Sequence, residues 1–227
     1  MDSDEPVALV RRLVKAAAAK SGSVADQLHP AWVQAAWQRI GFAGKPTFSP
    51  ASMERCSPAL ASVYGLRFES LGRFAHRAHR IALLPRKEMM RVLAAVALHA
   101  NREQVRMCIS RNLRAAMVGS VGAEAYAALL EAPPRPGGDA TGPIDADSVH
   151  PDRLALDGYT VLSENRAWRC KSTLAWVQLA LPPVAIPPAS SSSRGAPDPD
   201  PVLDRMPHFF PEHSWLFGSP MDQALSV

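Results

Sequence analysis

The sequence predicts an all-α fold, a single compact multi-helix domain with a flexible loop and a low-complexity C-terminal tail. Apolar residues recur at intervals of three and four in several segments, which is the spacing of one face of an α-helix. No alternating run of β-branched and aromatic residues reaches the length of a strand. Aromatic residues make up only 7% of the 227 residues while hydrophobic residues make up 47%, and this balance favours close packing of helices.

The central stretch, residues 83–132, contains three predicted helices joined by short loops. Pro85 suits a first helical turn, Asn101 separates the first helix from the second, and Gly119 ends the second. The third helix runs from Gly122 to about Ala132. Helices with such wide apolar faces are not stable alone in water, so we expect them to form the core of a bundle. The positions expected to be buried on the second helix are Val105, Cys108, Ile109, Leu113 and Ala116.

Further helices are predicted on both sides of this core. The basic amphipathic helix at the N-terminus would lie on a membrane surface or dock on the core, and the lack of an aromatic anchor favours docking. The last helix is apolar on two sides, so we expect it to return to the core and complete the bundle. The predicted segments are 6–20, 28–41, 57–66, 68–84 and 156–181.

Composition divides the chain into a helical domain over residues 1–186 and a tail over 187–227. Residues 133–150 are rich in Pro, Gly and Asp without periodicity, which predicts a flexible loop inside the domain. The tail begins with a Ser/Pro-rich run that predicts disorder. It ends in an aromatic segment, Phe209 to Phe217, which either folds back onto the domain or serves as a docking peptide.

Positive charge is concentrated in the middle of the chain. The net charge is +4, yet ten basic residues and only two acidic ones lie between Gly72 and Arg114. Such a patch attracts nucleic acid, an acidic protein or an anionic membrane surface, although it is also what a solvated helix face carries. Arg73, Arg77 and Arg80 have the spacing of one exposed face on the helix predicted at 68–84.

The sequence carries no signature of a catalytic, cofactor-binding or metal-binding site. Phosphate-binding glycine loops, dinucleotide fingerprints and nucleophile motifs are all missing. His76 and His79 have helical ligand spacing but no third ligand nearby in sequence, so we interpret them as two surface histidines in the basic strip. Three widely spaced cysteines are typical of a reducing compartment, and no apolar run has the length of a membrane span or the flanks of a signal peptide. We therefore predict a cytoplasmic protein that is not an enzyme, with no catalytic residue, no cofactor and no metal.

One family shows a similar pattern of residues. Its elements in this chain are Leu84-Pro85, a small-residue helix ending in Leu98-His99, an arginine helix with Arg102, Arg106 and Cys108, a helix with Tyr126, and an early His29-Pro30-x-Trp32. Together they resemble the SctK family, the K-type accessory proteins of bacterial type III secretion, which includes YscK, PscK and the Hrp-system counterparts.

The resemblance implies an all-α cytoplasmic adaptor of the sorting platform, peripheral to the inner membrane and not inserted in it. Such an adaptor bridges the inner-membrane ring protein SctD to the pod protein SctQ, and through SctQ to SctL and the ATPase SctN. A nucleic-acid-binding regulator and a secretion chaperone remain as alternatives, although we expect no nucleic acid partner. The residues that we predict to bind partners are Arg73, Arg77, Arg80, Arg102, Arg106, Phe209, Phe210, Trp215 and Phe217.

Overall fold

The computed structural model describes residues 4–41, 50–68, 70–133, 145–164, 168, 170–183 and 200–218, and every regular element in these ranges is helical. The predicted all-α fold is therefore confirmed. The chain divides into two compact units. Unit 1 comprises residues 1–89, 168–186 and 220–227, and unit 2 comprises residues 90–167 and 187–219. A single domain over residues 1–186 stays a prediction.

The α-helices follow one another along the chain with short connections. The first six are α1 (Asp4–Gly22), α2 (Val24–Gln27), α3 (Pro30–Arg39), α4 (Pro50–Tyr64), α5 (Arg77–Arg80) and α6 (Arg86–Ala100). The next five are α7 (Arg102–Met107), α8 (Arg111–Val121), α9 (Ala123–Glu131), α10 (Pro151–Glu164) and α11 (Lys171–Ala180). The last three are α12 (Asp200–Leu203), α13 (Met206–Phe209) and α14 (Ser214–Phe217). Short 3-10 helices lie at Leu71–Ala75, Ile81–Leu83 and Pro211–His213.

In unit 1 the N-terminal helix docks on α4, a helix outside the predicted core at 83–132, and Val14 of its apolar side stays exposed. Helix α1 packs against α4 and buries Leu13. Helix α3 begins where expected, because Pro30 occupies its first turn and the His29 ring accepts a hydrogen bond from the N–H of Ala31 at 3.2 Å. The indole N–H of Trp32 donates to the carbonyl of Leu181 at 3.0 Å, which joins the start of α3 to the end of α11.

The single last helix predicted at 156–181 is wrong. Two helices replace it, α10 in unit 2 and α11 in unit 1. Both apolar sides read from the sequence belong to α11, which carries Leu174 and Val177 on one and Ala175 and Leu179 on the other. Arg86, on the first helix of the predicted core, donates to the carbonyl of Ala180 at the end of α11 at 2.9 Å. The carbonyl of Leu179, in the same helix, accepts from the N–H of His29 at 2.7 Å.

In unit 2, helix α6 is buried over residues 92–98, which explains its run of small and branched apolar side chains. Helix α10 approaches it closely at Gly158. A Cβ built there would lie 1.8 Å from the carbonyl oxygen of Leu93, so any larger residue would force the two helices apart. Helices α7 and α8 each pack against α9.

The aromatic segment at the end of the chain is helical and folded into unit 2. Phe209, Phe210 and Phe217 are buried, and Trp215 is half-buried. Helix α13, which contains Phe209, packs against α9. Of the two alternatives for this segment, the structure therefore has the one in which it folds back. The Ser/Pro-rich residues 187–199 and the loop residues 134–144 lie outside the described residues.

Candidate partner-binding surface

The helix predicted at 68–84 is interrupted, and the interruption changes the position of Arg80. A 3-10 helix ends at Ala75, His76 has an extended backbone, and α5 begins at Arg77. Arg80 is 0% exposed. It donates from Nε to the carbonyl of Phe74 at 2.6 Å and from Nη2 to that of Ala75 at 3.1 Å. The end of a helix leaves its last carbonyls unpaired, so Arg80 turns inward to satisfy them, and the prediction that it lies on an exposed face is wrong.

The neighbouring basic residues divide between surface and interior. Arg73 is exposed and Arg77 is half-exposed, so both remain accessible to a partner. His76 is exposed, but His79 is buried and its Nδ1 lies 2.8 Å from the carbonyl of Arg73. The interpretation of both histidines as surface residues is therefore wrong for His79, which helps to close the same helix end.

Arg102 and Arg106 also bind carbonyls at helix ends. Arg102 is buried and donates to the carbonyl of Pro133 at 2.8 Å and of His99 at 3.0 Å. Arg106 is half-buried and donates to the carbonyls of Leu130, at 2.8 Å, and Ala132, and it pairs with Glu103 at 3.2 Å. These two arginines therefore hold α6 and α7 to the end of α9.

The same arrangement recurs along the basic stretch. A cation near the C-terminus of a helix is favourable because the helix dipole is negative there and its last carbonyls lack partners. Such bonds run from Arg86 to Ala180 at 2.9 Å, from Arg91 to Val121 at 3.2 Å, and from Arg114 to Cys108 at 2.5 Å. Outside the basic stretch, the side-chain nitrogen of Lys20 donates to the carbonyl of Leu84. Much of the charge that the sequence suggested for partners is thus used inside the fold.

Arg91 in addition joins the aromatic segment to the rest of unit 2. Its guanidinium carbon lies 5.3 Å from the centre of the Phe210 ring, and Nη1 lies 3.5 Å from Oε1 of Glu212. A cavity of about 260 Å³ opens beside it at the start of α9, lined by Arg91, Gly122, Ala123, Glu124, Ala125, Phe209 and Glu212. One guanidinium and two carboxylates are the charged groups of this lining.

The second central helix is interrupted as well, and this interruption exposes apolar side chains. Helix α7 ends at Met107 and α8 begins at Arg111, with Ser110 as its N-cap. Met107 is 65% exposed and Ile109 is 92% exposed. The prediction that Ile109 lies on a buried helix face is therefore wrong. The signal that sequence reasoning missed is Ser110, because serine is a favoured N-cap and marks the start of a new helix.

Comparison with known proteins identifies the family. The chain matches the family model described as bacterial type III secretion protein (HrpB4) over residues 11–212. The chain belongs to the HrpB4 family. HrpB4 is the SctK-type family, so the resemblance read from the sequence is confirmed. No curated protein and no solved structure matches the chain.

Membership of the HrpB4 family makes the chain a type III secretion accessory protein, and this is not a known enzyme family. Its partners are therefore components of the secretion apparatus. Among the described residues, no single helix combines the length and apolar character needed to cross a membrane. Within the described ranges, α8 and α9 taken as a pair reach that length and composition, and their axes are bent by 109°.

Proposed function

We propose that this HrpB4-family chain is an adaptor of the type III secretion sorting platform. It bridges an SctD-type inner-membrane ring protein to an SctQ-type pod protein, and so indirectly to SctL and the ATPase SctN. It acts at the cytoplasmic face of the inner membrane without entering the bilayer. The observation that carries the proposal is the family match over residues 11–212, which spans most of both units.

The packing of the chain is compatible with an adaptor. Buried arginines close helix ends in both units, including Arg80 in unit 1 and Arg102 in unit 2. Helices that are fixed in this way present side chains in constant positions, which lowers the entropy lost on binding. We further propose that Arg73 and Arg77, at the surface of unit 1, contact an acidic partner, since these two of the predicted arginines remain accessible there.

The experiment is a capture assay in a bacterium that carries this chain and its secretion apparatus. The ring protein is tagged and isolated from cells with and without the chain, and the pod protein is quantified. We expect recovery of the pod protein, and secretion, to depend on the chain. Equal recovery of the pod protein in its absence contradicts the bridging role.

The arginine contribution is tested by reversing two charges. Arg73→Glu together with Arg77→Glu should weaken capture of one partner while the melting temperature stays within a few degrees, because neither side chain is buried. Arg11→Glu together with Arg12→Glu, on exposed positions of α1, is the matched control with the same change in charge. Undiminished capture by the first pair, or an equal loss with the control, refutes the assignment.

The alternative of a nucleic-acid-binding regulator predicts a different result. Such a protein would bind duplex DNA with an affinity that falls steeply with salt. The structure gives this alternative little support, since Arg80, Arg102 and Arg106 donate to backbone carbonyls. A secretion chaperone would instead be recovered with a secreted substrate in place of the ring and pod proteins.

A further inference from the structure

The loop between α7 and α8 has an exposed apolar surface that unit 2 does not cover. Of the large hydrophobic side chains exposed in the described part of unit 2, all three lie in this region, namely Met107, Ile109 and Leu130. The backbone of Leu130 is joined to this region, because its carbonyl accepts from the guanidinium of Arg106, the residue before Met107. Scattered exposed apolar residues are ordinary in proteins, but a group of them with charged neighbours is typical of a contact surface.

The loop is held in a fixed conformation by hydrogen bonds on both sides of Ile109. Arg114 donates to the carbonyl of Cys108 at 2.5 Å, and the N–H of Cys108 donates to the carbonyl of Val105 at 3.3 Å. The hydroxyl of Ser110 accepts from the N–H of Leu113 at 3.5 Å. Ile109 is therefore exposed on a constrained turn, which is the preorganised form that favours binding.

Helix α9, which packs against both α7 and α8, carries a second feature that the fold itself does not explain. The hydroxyl of Tyr126, on α9, is buried and has no hydrogen-bond partner among the described residues. Burial raises the pKa of Tyr126, and the positive charge of Arg114 opposes this shift. A buried polar group without a partner is costly, and in the described part of unit 2 the Tyr126 hydroxyl is the one such side-chain group.

The charge around the loop selects the kind of partner. Residues 102–114 contain four arginines and one glutamate, and Glu103 is paired with Arg106. Arg111 and Arg114 are exposed next to the apolar side chains. A second copy of the chain docked face to face would place these arginines against each other, so the charge disfavours self-association and favours a partner with carboxylates.

We propose that the surface formed by Met107, at the end of α7, and by Cys108 and Ile109, in the loop after it, docks an acidic segment of a second protein. That segment places apolar side chains against Met107 and Ile109 and carboxylates against Arg111 and Arg114. This inference rests on the proposed function for the identity of the second protein as a component of the secretion apparatus, and it adds the place and chemistry of one contact.

The experiment uses the full chain in its native bacterium with a photo-crosslinking amino acid at position 107. Position 40 is the matched control, since Ile40 is also an exposed apolar residue but belongs to unit 1. We expect an adduct at position 107 with a second secretion protein, mapped by mass spectrometry to a segment with more Asp and Glu than Lys and Arg. Its yield should fall in cell extracts as NaCl rises from about 50 mM to about 500 mM.

Two variants in the position-107 background test the named side chains. Ile109→Ser removes the apolar contact and Arg111→Glu opposes the carboxylates, and each should lower the adduct yield about fivefold or more. Ile40→Ser should leave the yield unchanged. Unaltered circular dichroism shows that each variant is folded.

Several outcomes overturn the inference. The first two are that no adduct forms at position 107, or that the adduct forms only between two copies of the chain or with lipid. The other two are that the crosslinked segment has no excess of acidic residues, or that neither variant changes the adduct yield. If the chain still bridges ring and pod proteins in any of these cases, the proposed function stands and the docking loop fails. If bridging fails while an acidic segment of another secretion protein crosslinks as described, the loop stands and the bridging role fails.

Discussion

The segments 71–83 in unit 1 and 102–121 in unit 2 have similar patterns of arginines and apolar residues. They differ in how deeply the interrupted part of each segment is buried. For each, the sequence predicts one continuous helix with arginines opposite an apolar stripe, and each is interrupted. In both, an arginine donates to the carbonyl six residues before it, from Arg80 to Phe74 at 2.6 Å and from Arg114 to Cys108 at 2.5 Å. The same local bond therefore closes both interruptions.

The two segments differ in what surrounds the arginine. Arg80 is fully buried, whereas Arg114 is exposed beside an isoleucine that is itself 92% exposed. In the buried case the charge has no access to water, so its bonds to carbonyls are obligatory. In the exposed case water can replace the lost bond. The comparison teaches that burial, and not the spacing of arginines, decides whether such a side chain is enclosed by the fold or accessible at the surface.

Substituting the two arginines gives the largest expected effect. Arg80→Met should lower the free energy of unfolding by on the order of 3 kcal/mol, because it leaves buried carbonyls without donors. Arg114→Met should cost less than about 1 kcal/mol, because the carbonyl of Cys108 is near solvent. Urea denaturation followed by circular dichroism measures both, and equal costs would remove the distinction between the two segments.

Lys20 is another buried basic residue, and its burial makes the stability of the fold depend on pH. Burial lowers the pKa of Lys20 from 10.5 to about 7 in the folded chain, so between these values the unfolded state binds the additional proton and stability rises with pH. The slope approaches about 1.4 kcal/mol per pH unit. Below pH 7 the lysine is increasingly protonated in both states, so the cost of burying its charge is present and this contribution becomes flat.

The variant Lys20→Met isolates this contribution, since it keeps the length of the side chain and removes the charge. The stability difference between the wild-type chain and the variant, measured by urea denaturation from pH 6 to pH 10, should shift in favour of the wild type above pH 7. Arg12→Met, at an exposed position of the same helix, serves as the control and should give a constant difference. A constant difference for Lys20→Met as well would show that its ammonium group is hydrated.

Substituting Val105 or Ile109 by alanine gives the smallest expected change in stability. Both positions are predicted to lie on the same buried face of one helix, so their difference tests that prediction directly. Val105→Ala should cost about 1 to 2 kcal/mol, because Val105 is 1% exposed. Ile109→Ala should stay within about 0.5 kcal/mol, because its side chain has little packing to lose. Thermal unfolding of both variants checks this, and a comparable loss at Ile109 would place its side chain in the interior.

Sequence reasoning predicts the helices well where local signals are strong. The proline in the first turn of α3 and the apolar period of α6 indicate both elements. It fails at the two interruptions, because an apolar period of three to four continues across a break of one residue, at His76, or of three, at 108–110, almost unchanged. Ser110 is the local sign of the second interruption, whereas the extended backbone at His76 has no comparable capping bond.

For the candidate surface, the sequence locates the basic stretch but not the exposed members of it. Arg73 and Arg77 remain accessible, while Arg80 and Arg102 are buried and Arg106 is bound to the end of α9. The failure has a physical reason. An arginine seeks carboxylates or unpaired carbonyls, and the position of a free carbonyl depends on where a distant helix ends.

The sequence by itself determined the helical class, the HrpB4-type pattern and the location of positive charge, because each depends on residues that are close along the chain. The tertiary structure alone decided which cations lie inside, that the aromatic segment packs into unit 2, and that Ile109 faces outward. Those outcomes depend on helix ends from remote segments, such as Val121 for Arg91 and Pro133 for Arg102. The spacing of residues along the chain does not specify these contacts between arginines and distant carbonyls, because they form only when the helices have packed.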